Sequence, residues 1–502
     1  MKKILLILFL IIIPFSSVYS QEYKQQYFYD NEFSCKVPET FKIDETSEDI
    51  VTKLYTPDGS KIYIYNQPLK NASVRDYIDY SNEQIMNKKG SFEPLEKDSI
   101  RYDNNAKAYR FLYTRPKIDN IENDKNMYYE INEYYPLSKR VITFWLKTDQ
   151  DHIDEYKAVL NEMARSAWIM DRHEDKVSIN PENWKEHKSE INLEGEDISI
   201  NIPNDKMLWG IFHPHSLLEG NYLKTLQPTE EKMDKKFEFI MTYADFDDYI
   251  PTVGSKNVYK DGRLMMFTLQ PWVYLDRDNI IIVDIIKGKY DDYIRKWAQD
   301  IRELKNPVLF RFANEMNGDW CPWSTWYFGK DPDLYIEAWK RVHTIFKEEK
   351  ADNAQFVWNP HDRSYPDFKW NSPHLYYPGD EYVDWVGLTG YNNGTSFKED
   401  VWRDFKDIYY PLYADYMKYY KDKPFLVTEF SCNETGGDKA KWIEEGFEFF
   451  KDMPNIKMAV WFDQVDQLWQ YNIDSSEASF EAFKKAMNNP YFIKDAVKRK
   501  DM

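Results

Sequence analysis

The sequence predicts an α/β protein, a (β/α)8 TIM barrel preceded by a small α+β domain. The chain has 502 residues, which is too long for one ordinary hydrophobic core and favours two or three domains. Near residue 206 the pattern changes, because short strand-like segments give way to apolar runs that alternate with helical segments. Residues 206–495 contain eight such runs, which fits eight buried parallel strands joined by helical crossovers.

Residues 1–20 have the pattern of a secretory signal peptide. Two lysines are followed by a short apolar run and by small residues, and cleavage is expected before Gln21. An uncleaved anchor is the alternative, although the apolar run is short for a membrane span. We therefore expect a protein that is secreted or held at the cell surface, extracellular or periplasmic, without a membrane span in its mature form.

The composition restricts the class of partner. The formal net charge is −19 and no basic patch is evident, which argues against a nucleic-acid partner. Aromatic residues make up 17% of the chain, which suits both ordinary cores and the stacking of sugar rings. The three cysteines, Cys35, Cys321 and Cys432, cannot all pair, so the chain is not a disulfide scaffold. Whether Cys321 and Cys432 meet is left open.

Residues 21–172 predict the α+β accessory domain. The patterns indicate strands at 33–37, 52–55, 61–65, 107–113, 127–134 and 140–146, and helices at 73–87 and 154–170. This order resembles the PsbP/Mog1-like fold by pattern rather than by a motif, and a binding or spacer module is the expected role. Residues 173–205 are polar and predict a linker or entry segment with a hairpin at 190–202.

Residues 206–495 predict the barrel. The expected strands are 207–212, 237–243, 264–269, 307–312, 354–358, 382–388, 423–428 and 457–462. The expected helices are 290–304, 332–349, 398–420 and 438–452. Active sites of such barrels lie at the carboxyl ends of the strands, so the residues at those ends indicate the function.

Polar and aromatic residues recur at these strand ends, which a purely structural barrel does not require. In strand order they are His213 and His215; Asp245 and Phe246; Gln270 and Trp272; Asn314, Glu315 and Trp320; Trp358, Asn359 and His361; Tyr391 and Asn392; Glu429; and Trp461 and Asp463.

Two carboxylates, Glu315 and Glu429, end strong strands, the fourth and the seventh. Across a closed barrel these ends face each other, and two carboxyl groups flanking a sugar ring are what glycoside hydrolysis requires. A separation of about 5–5.5 Å would predict retention of the anomeric configuration through a covalent glycosyl-enzyme. The alternative for either carboxylate is a structural ion pair at the barrel rim.

Four stretches resemble glycoside hydrolase family 26 of clan GH-A, and the likeness covers about residues 205–490. The stretches are 288–293 (GKYDDY), 311–323 (RFANEMNGDWCPW), 377–392 (YPGDEYVDWVGLTGYN) and 425–430 (FLVTEF). This resemblance implies a retaining secreted enzyme of the endo-β-mannanase, lichenase-type β-1,3-1,4-glucanase or β-1,3-xylanase kind. It also implies that no cofactor and no metal are needed.

The resemblance assigns roles to individual residues. Glu315 would be the acid/base and Glu429 the nucleophile, with Arg311 one alternation behind Glu315 on the inward face of the same strand. Tyr391 would donate a hydrogen bond to the nucleophile. The remaining predicted substrate-binding residues are Trp320 and Trp461, as an aromatic platform under the reacting sugar, together with Asn314, His215, Gln270 and Trp272.

Three departures from the family pattern concern the substrate more than the chemistry. The mannanases commonly have His before the acid/base, where this chain has Asn314. The mannanases have Asp before Gly-Tyr on the sixth strand, where this chain has Thr389, and the lichenase-like branch often has Glu in place of Gln270. Mannose and glucose differ at the 2-hydroxyl, so contacts near the reacting sugar are expected to differ too.

The sequence therefore predicts a secreted retaining endo-β-glycanase that cuts a mannan or a β-glucan, acting as a monomer on a polysaccharide. One alternative is a non-catalytic carbohydrate-binding or cell-surface protein on the same barrel, although the intact catalytic set argues against it. Another alternative is a hydrolase that processes the producer's own exopolysaccharide. The chain has neither a His-Glu-x-x-His motif nor a Gly-x-Ser-x-Gly nucleophile elbow.

Overall fold

The computed structural model describes residues 21–44, 46, 49–102, 106–170, 179–184, 190–214, 222–273 and 280–500. The predicted signal peptide and the candidate His215 lie outside the described residues. In the part of the chain that is described, no helix combines the length and the apolar character needed to cross a membrane.

The N-terminal part contains two antiparallel sheets and two helices. Its elements are β1 (Tyr23–Phe28), β2 (Phe33–Pro38), β3 (Lys42–Asp44), β4 (Thr52–Tyr55), β5 (Lys61–Pro68), α1 (Val74–Met86), β6 (Glu93–Arg101), β7 (Lys107–Thr114), β8 (Met127–Tyr135), β9 (Arg140–Thr148), α2 (Ile153–Arg165) and β10 (Trp168–Ile169). Strands β1, β2 and β10 form a small sheet, and the other strands form a seven-stranded sheet in the order β3-β4-β5-β9-β8-β7-β6.

The central strands β5, β8 and β9 of this sheet are largely buried, and their alternate side chains pack on opposite faces. One face packs against the apolar stripe of α2, which includes Val159 and Leu160. On the other face, Tyr113, Tyr128 and Trp145 belong to the same hydrophobic cluster as the barrel strands and helices. The N-terminal part and the barrel therefore share a continuous core.

Helix α1 begins at a capping box that the sequence specifies locally. The Ser73 hydroxyl accepts from the backbone N–H of Asp76 at 3.1 Å, and the Asp76 carboxylate accepts from the backbone N–H of Ser73 at 2.9 Å. These bonds satisfy donors that a helix start leaves unpaired, so they fix where α1 begins.

The hairpin predicted at 190–202 is present as β11 (Ile191–Glu194) and β12 (Ile198–Ile202). The barrel strands follow as β13 (Leu208–Phe212), β14 (Phe239–Ala244), β15 (Leu264–Leu269), β16 (Val308–Phe312), β17 (Ala354–Trp358), β18 (Trp385–Asn392), β19 (Phe425–Cys432) and β20 (Ile456–Phe462). They pair in parallel and close through β13 and β20. The predicted fold class is confirmed.

Helices cover the outside of this barrel. They are α3 (Tyr222–Met233), α4 (Thr252–Lys260), α5 (Ile282–Ile286), α6 (Asp291–Leu304), α7 (Pro332–Glu348), α8 (Phe405–Tyr420), α9 (Lys439–Phe449) and α10 (Glu477–Met487). A short hairpin of β21 (Val465–Asp466) and β22 (Trp469–Gln470) follows the last barrel strand. Near the C-terminus, β23 (Val497–Arg499) pairs with β12.

The sixth and seventh barrel strands are longer than predicted. Pairing of β18 with β19 continues past Leu388, through a register shift, so that Thr389 pairs with Glu429 and Tyr391 pairs with Ser431. Two residues predicted to follow the strands, Tyr391 and Glu429, therefore lie within them. Their side chains are held by a hydrogen-bonded backbone rather than by a loop.

Candidate active site

A cleft of about 930 Å³ opens at the carboxyl ends of the barrel strands. Six residues predicted from the sequence line it: Gln270, Trp272, Glu315, Trp320, Tyr391 and Glu429. Neighbouring parallel strands end at the same edge of a barrel, and this brings residues far apart in sequence into one site.

Glu315 reaches the cleft through an unusual backbone. Ala313 and Glu315 both have positive φ angles, 46° and 54°, in the left-handed region that residues with a side chain rarely adopt. The Glu315 N–H donates to the carbonyl of Asn359 at 2.7 Å, and its carbonyl accepts from the N–H of Gly318 at 2.9 Å. The chain thus turns sharply where β16 ends, and this strained turn is held by one backbone bond to the next strand end and by one within the loop.

Burial raises the pKa of Glu315 to about 7, and the negative charge of Glu429 adds to this effect. His361, Arg311 and the indole N–H of Trp320 act in the opposite direction. Trp320 Nε1 donates to Glu315 Oε2 at 3.2 Å. A substantial fraction of Glu315 is therefore protonated near neutral pH, as a general acid requires.

Glu429 is contacted by a hydroxyl donor and by a buried cation. The Tyr391 hydroxyl donates to Oε2 at 2.6 Å, and Arg311 Nη1 lies 2.7 Å from Oε1. Arg311 is fully buried and is oriented by Thr268, which accepts from Nε at 2.8 Å, and by Asn359, which accepts from Nη1 at 2.8 Å. Burial, with the charge of Glu429 beside it, raises the pKa of Tyr391 well above its usual value, so this phenol remains a hydrogen-bond donor.

Asn314 precedes Glu315 in the chain and is only 2% exposed. Its side-chain oxygen accepts from Gln270 Nε2 at 3.2 Å, and its carbonyl accepts from Trp323 Nε1 at 2.6 Å. Trp323 in turn packs edge to face with Trp272, with ring centroids 5.1 Å apart. Asn314 therefore links the fourth strand end to the cleft residues Gln270 and Trp272.

The prediction that Trp461 forms an open aromatic platform is wrong. Its ring is fully buried, with centroids 4.9 Å from Phe430 and 5.1 Å from Phe483, and its Nε1 donates to the carbonyl of Tyr471. Successive side chains of a strand point to opposite faces, and the neighbouring Phe462 is the one that lines the cleft. The apolar run of the eighth strand was predicted correctly, but the side of the strand on which the Trp461 ring lies was not.

Several cleft residues were not singled out from the sequence as substrate-binding. One wall adds His361 and Tyr365, whose rings lie 5.2 and 5.3 Å from that of Trp320. The other wall adds Trp469 and Tyr471, and the Tyr471 ring stacks on Tyr391 at 5.0 Å. His361 follows the fifth strand and was visible as a strand-end residue. Tyr365 and Tyr471 lie in loops and Trp469 lies in the two-residue strand β22, so no periodicity marks them.

The structure answers the question of whether Cys321 and Cys432 pair, and it gives the position of His213. Cys35, Cys321 and Cys432 are all buried free thiols, so Cys321 and Cys432 do not pair. His213, beside the undescribed His215, places Nδ1 at 2.9 Å from an oxygen of Asp463 at the end of the eighth strand.

Comparison with known proteins supports the family resemblance. Residues 277–423 match the model of Glycosyl hydrolase family 26. Endoglucanase H of Acetivibrio thermocellus is 31% identical over 271 residues, which cover 53% of this chain and 29% of that protein. A mannan endo-1,4-beta-mannosidase of Bacillus subtilis is 36% identical over 122 residues, which cover 22% of this chain and 32% of that protein. The chain spans about a third of the length of these curated relatives.

Among solved structures, the Bacillus subtilis mannanase man26 aligns with a TM-score of 0.41 and 20% identity. The alignment covers 58% of this chain and 87% of that chain.

Proposed function

We propose that this chain, whose barrel is a glycosyl hydrolase family 26 domain, is a retaining endo-β-glycanase that cuts internal β-linkages of a mannan or a β-glucan. The observation that carries the proposal is the different environment of its two carboxyl groups. Glu315 has a pKa of about 7, while Glu429 lies against the Arg311 cation and the Tyr391 hydroxyl. A glycosidase needs one carboxyl protonated and the other ionised at the same pH.

In the proposed first step, Glu315 donates its proton to the oxygen of the scissile bond. The carboxylate of Glu429 attacks the anomeric carbon, the bond to the leaving sugar breaks, and a glycosyl-enzyme ester forms. In the second step Glu315, now ionised, takes a proton from water, the water oxygen attacks the same carbon, and Glu429 is released. Two inversions leave the product with its original β-configuration.

The size and the aromatic lining of the cleft support cleavage inside a glycan chain. A volume of about 930 Å³ lies near the upper end of the about 300–1,000 Å³ typical of ligand sites, which leaves room for more than one sugar ring. Aromatic side chains stand on both walls, with Trp320 and Tyr365 on one side and Trp469 and Tyr471 on the other. Aromatic faces stack on the apolar faces of sugars.

Two of the three departures from the family pattern, Thr389 and Gln270, differ in how they reach the cleft. Thr389 is buried and is bonded to Asn359 and Thr428 at 3.2 and 2.9 Å, so it acts on the cleft only through its neighbours. Gln270, in contrast, lines the cleft. The departure that lies in the cleft itself is therefore the one that separates this chain from the lichenase-like branch. The relatives named above are an endoglucanase and a mannosidase, so both substrates are retained in the proposal.

The test is a panel of mannan, glucomannan, barley β-glucan, laminarin and β-1,3-xylan, with new reducing ends measured over time. We expect one mannan or β-glucan substrate to be cut, with a rapid fall in viscosity that marks internal cleavage. The Glu429→Gln variant, which keeps the size of the side chain and removes its charge, is the control for contaminating activity. Wild-type protein that releases no more ends than Glu429→Gln on any glycan would refute the proposal.

We further propose that the protein acts outside the cytoplasm, from the pattern of residues 1–20. N-terminal sequencing of the protein recovered from the producing cells tests this, and a mature chain that begins at Gln21 is the expected result.

A further inference from the structure

Helix α1 of the N-terminal part packs against two loops that form one wall of the cleft. The Tyr80 ring is stacked on Trp326, with centroids 4.8 Å apart and an interplanar angle of 8°, and the Tyr80 carbonyl accepts from Trp326 Nε1 at 2.8 Å. On the same helix, the Ser81 hydroxyl accepts from Trp370 Nε1 at 3.0 Å. Trp326 lies in the loop after β16, and Trp370 lies in the loop after β17.

Those two loops carry the wall residues and are bonded to each other. The first carries Trp320 and the second carries Tyr365. The backbone N–H of Tyr365 donates to the carbonyl of Asn317 at 2.8 Å, and Asn371 Nδ2 donates to the same carbonyl at 2.8 Å. A displacement of one loop therefore affects the other.

The hydroxyl of Tyr80 continues this contact to the residue next to Trp320. It donates a short hydrogen bond to Oδ2 of Asp319. The carbonyl of Asp319 also accepts from the hydroxyl of Tyr327 at 2.7 Å, so Asp319 is held through both its side chain and its backbone. Trp320 follows immediately, is 41% exposed, and donates its indole N–H to Glu315.

We propose that Tyr80 is a positioning residue for the acid/base Glu315, and that it acts by holding Asp319 so that the Trp320 indole N–H meets the Glu315 carboxyl group. The inference rests on the proposed hydrolytic function of the cleft. It gives the N-terminal part a role in catalysis, in place of the binding or spacer role expected from the sequence.

Loss of the Trp320 hydrogen bond should raise the pKa of Glu315. The indole N–H favours the ionised form of Glu315, so its loss shifts the titration of Glu315 to higher pH. The charged and titratable groups that face Glu315 are Glu429 from β19, His361 from the loop after β17 and Arg311 from β16, together with Tyr243 from β14, Tyr391 from β18 and Cys321 from the loop after β16. None of them contacts Tyr80, so removal of the Tyr80 hydroxyl reaches Glu315 through the Trp320 bond.

The first experiment compares Tyr80→Phe with Tyr77→Phe in the full chain. Tyr80→Phe keeps the ring stack on Trp326 and removes only the bond to Asp319. We expect kcat to fall roughly tenfold, below the about hundredfold loss that a 1 Å misplacement causes. The basic limb of kcat/KM should move to higher pH, in the same direction as in Trp320→Phe.

Tyr77→Phe is the matched control. Tyr77 lies one turn earlier on α1, and its hydroxyl is bonded within the N-terminal part to Thr143 at 2.9 Å. Removal of the hydroxyl at Tyr77 should give the same pH profile as that of the wild type. The proposal would be overturned if the basic limb of kcat/KM stayed at its wild-type pH in Tyr80→Phe. It would also be overturned if the limb shifted equally in Tyr77→Phe.

A second set of variants tests the route through Asp319. Asp319→Asn keeps an oxygen that accepts from Tyr80 and should retain most of the activity, whereas Asp319→Ala should behave like Tyr80→Phe. Because the two residues act through one bond, the double variant Tyr80→Phe/Asp319→Ala should be no slower than either single variant. Losses that multiply in the double variant would contradict a shared route.

Hydrogen exchange separates this inference from the proposed function, since it does not require activity. In Tyr80→Phe we expect faster exchange across 316–331 than in the wild type or Tyr77→Phe. If the wild type cuts no glycan, the proposed function fails, and exchange still reports whether Tyr80 holds the loop. Unchanged exchange across 316–331 would refute the positioning role in either case.

Discussion

At the scale of single residues, the site depends on making two chemically identical side chains behave differently. Glu315 lies in a strained turn, is buried, and faces the negative charge of Glu429. Glu429 lies within a strand and touches a fully buried cation. The proposed assignment of Glu315 as the acid and Glu429 as the nucleophile rests on this difference in environment.

The first prediction concerns pH. The acid role needs protonated Glu315, and its pKa is about 7, so kcat/KM should fall as the pH rises through about 7. Glu315→Gln should remove this limb and lower kcat/KM by roughly 10²–10⁴-fold on an unactivated polysaccharide. The measurement is the rate of reducing-end release at fixed ionic strength from pH 4 to 10. An unchanged basic limb in Glu315→Gln would assign the proton donor elsewhere.

The second prediction concerns the nucleophile. Glu429→Ala should reduce activity by at least about 10³-fold, because no group remains to form the glycosyl-enzyme. In the wild type, NMR spectra of early products should show the β-anomer first. Formation of the α-anomer first would mean inversion, and Glu429 would then be a base that activates water.

At the scale of elements, the barrel strands were predictable because parallel strands buried on both faces appear as nearly continuous apolar runs. The runs at 264–269 and 354–358 coincide with β15 and β17. The ends of β18 and β19 were predicted too early, because polar residues such as Tyr391 and Glu429 continue the hydrogen-bonded pairing inside the barrel. Pattern alone does not distinguish a polar residue that ends a strand from one that points into a site.

The residues of the candidate site were also predictable only in part. Glu315 and Glu429 were found because a carboxylate at the end of an apolar strand is unusual. Trp461 was misplaced because a fully apolar run does not show which face is inward. Tyr365 and Trp469 were missed because their positions depend on long-range loop packing, which leaves no local signal.

A prediction at this scale concerns the contact between β13 and β14. A Cβ at Gly210 would lie 2.6 Å from three ring carbons of Phe239, its partner across the strand pair. Gly210→Ala should therefore lower the free energy of unfolding by about 1–3 kcal/mol, the usual cost of overpacking a core. Urea unfolding measures this, and Gly210→Ala/Phe239→Leu should recover part of the loss. A single variant as stable as the wild type would show that the ring moves freely.

At the scale of the whole molecule, the N-terminal part and the barrel are joined by polar contacts as well as by a shared core. The Tyr128 hydroxyl donates to Asp331 at 2.7 Å, and Lys147 pairs with the same carboxylate at 2.8 Å. Asp331 precedes α7 and its side chain also accepts from the backbone N–H of Asp333. The contact surface therefore lies at the start of a barrel helix, next to the loop that carries Trp320.

The last prediction tests whether the two parts unfold together. Lys330 of the barrel pairs with Glu130 of the N-terminal sheet, and both side chains are at most 3% exposed. Lys330→Met should cost about 3–5 kcal/mol, because it removes one partner of a buried ion pair and leaves the Glu130 carboxyl group without its cation. Lys330→Met/Glu130→Gln removes both charges and should be more stable than the single variant.

We expect a single unfolding transition that shifts as a unit in each variant. Tryptophan fluorescence and circular dichroism monitor this transition. Two separate transitions in the wild type, with only the first moved by Lys330→Met, would mean that the N-terminal part unfolds independently of the barrel.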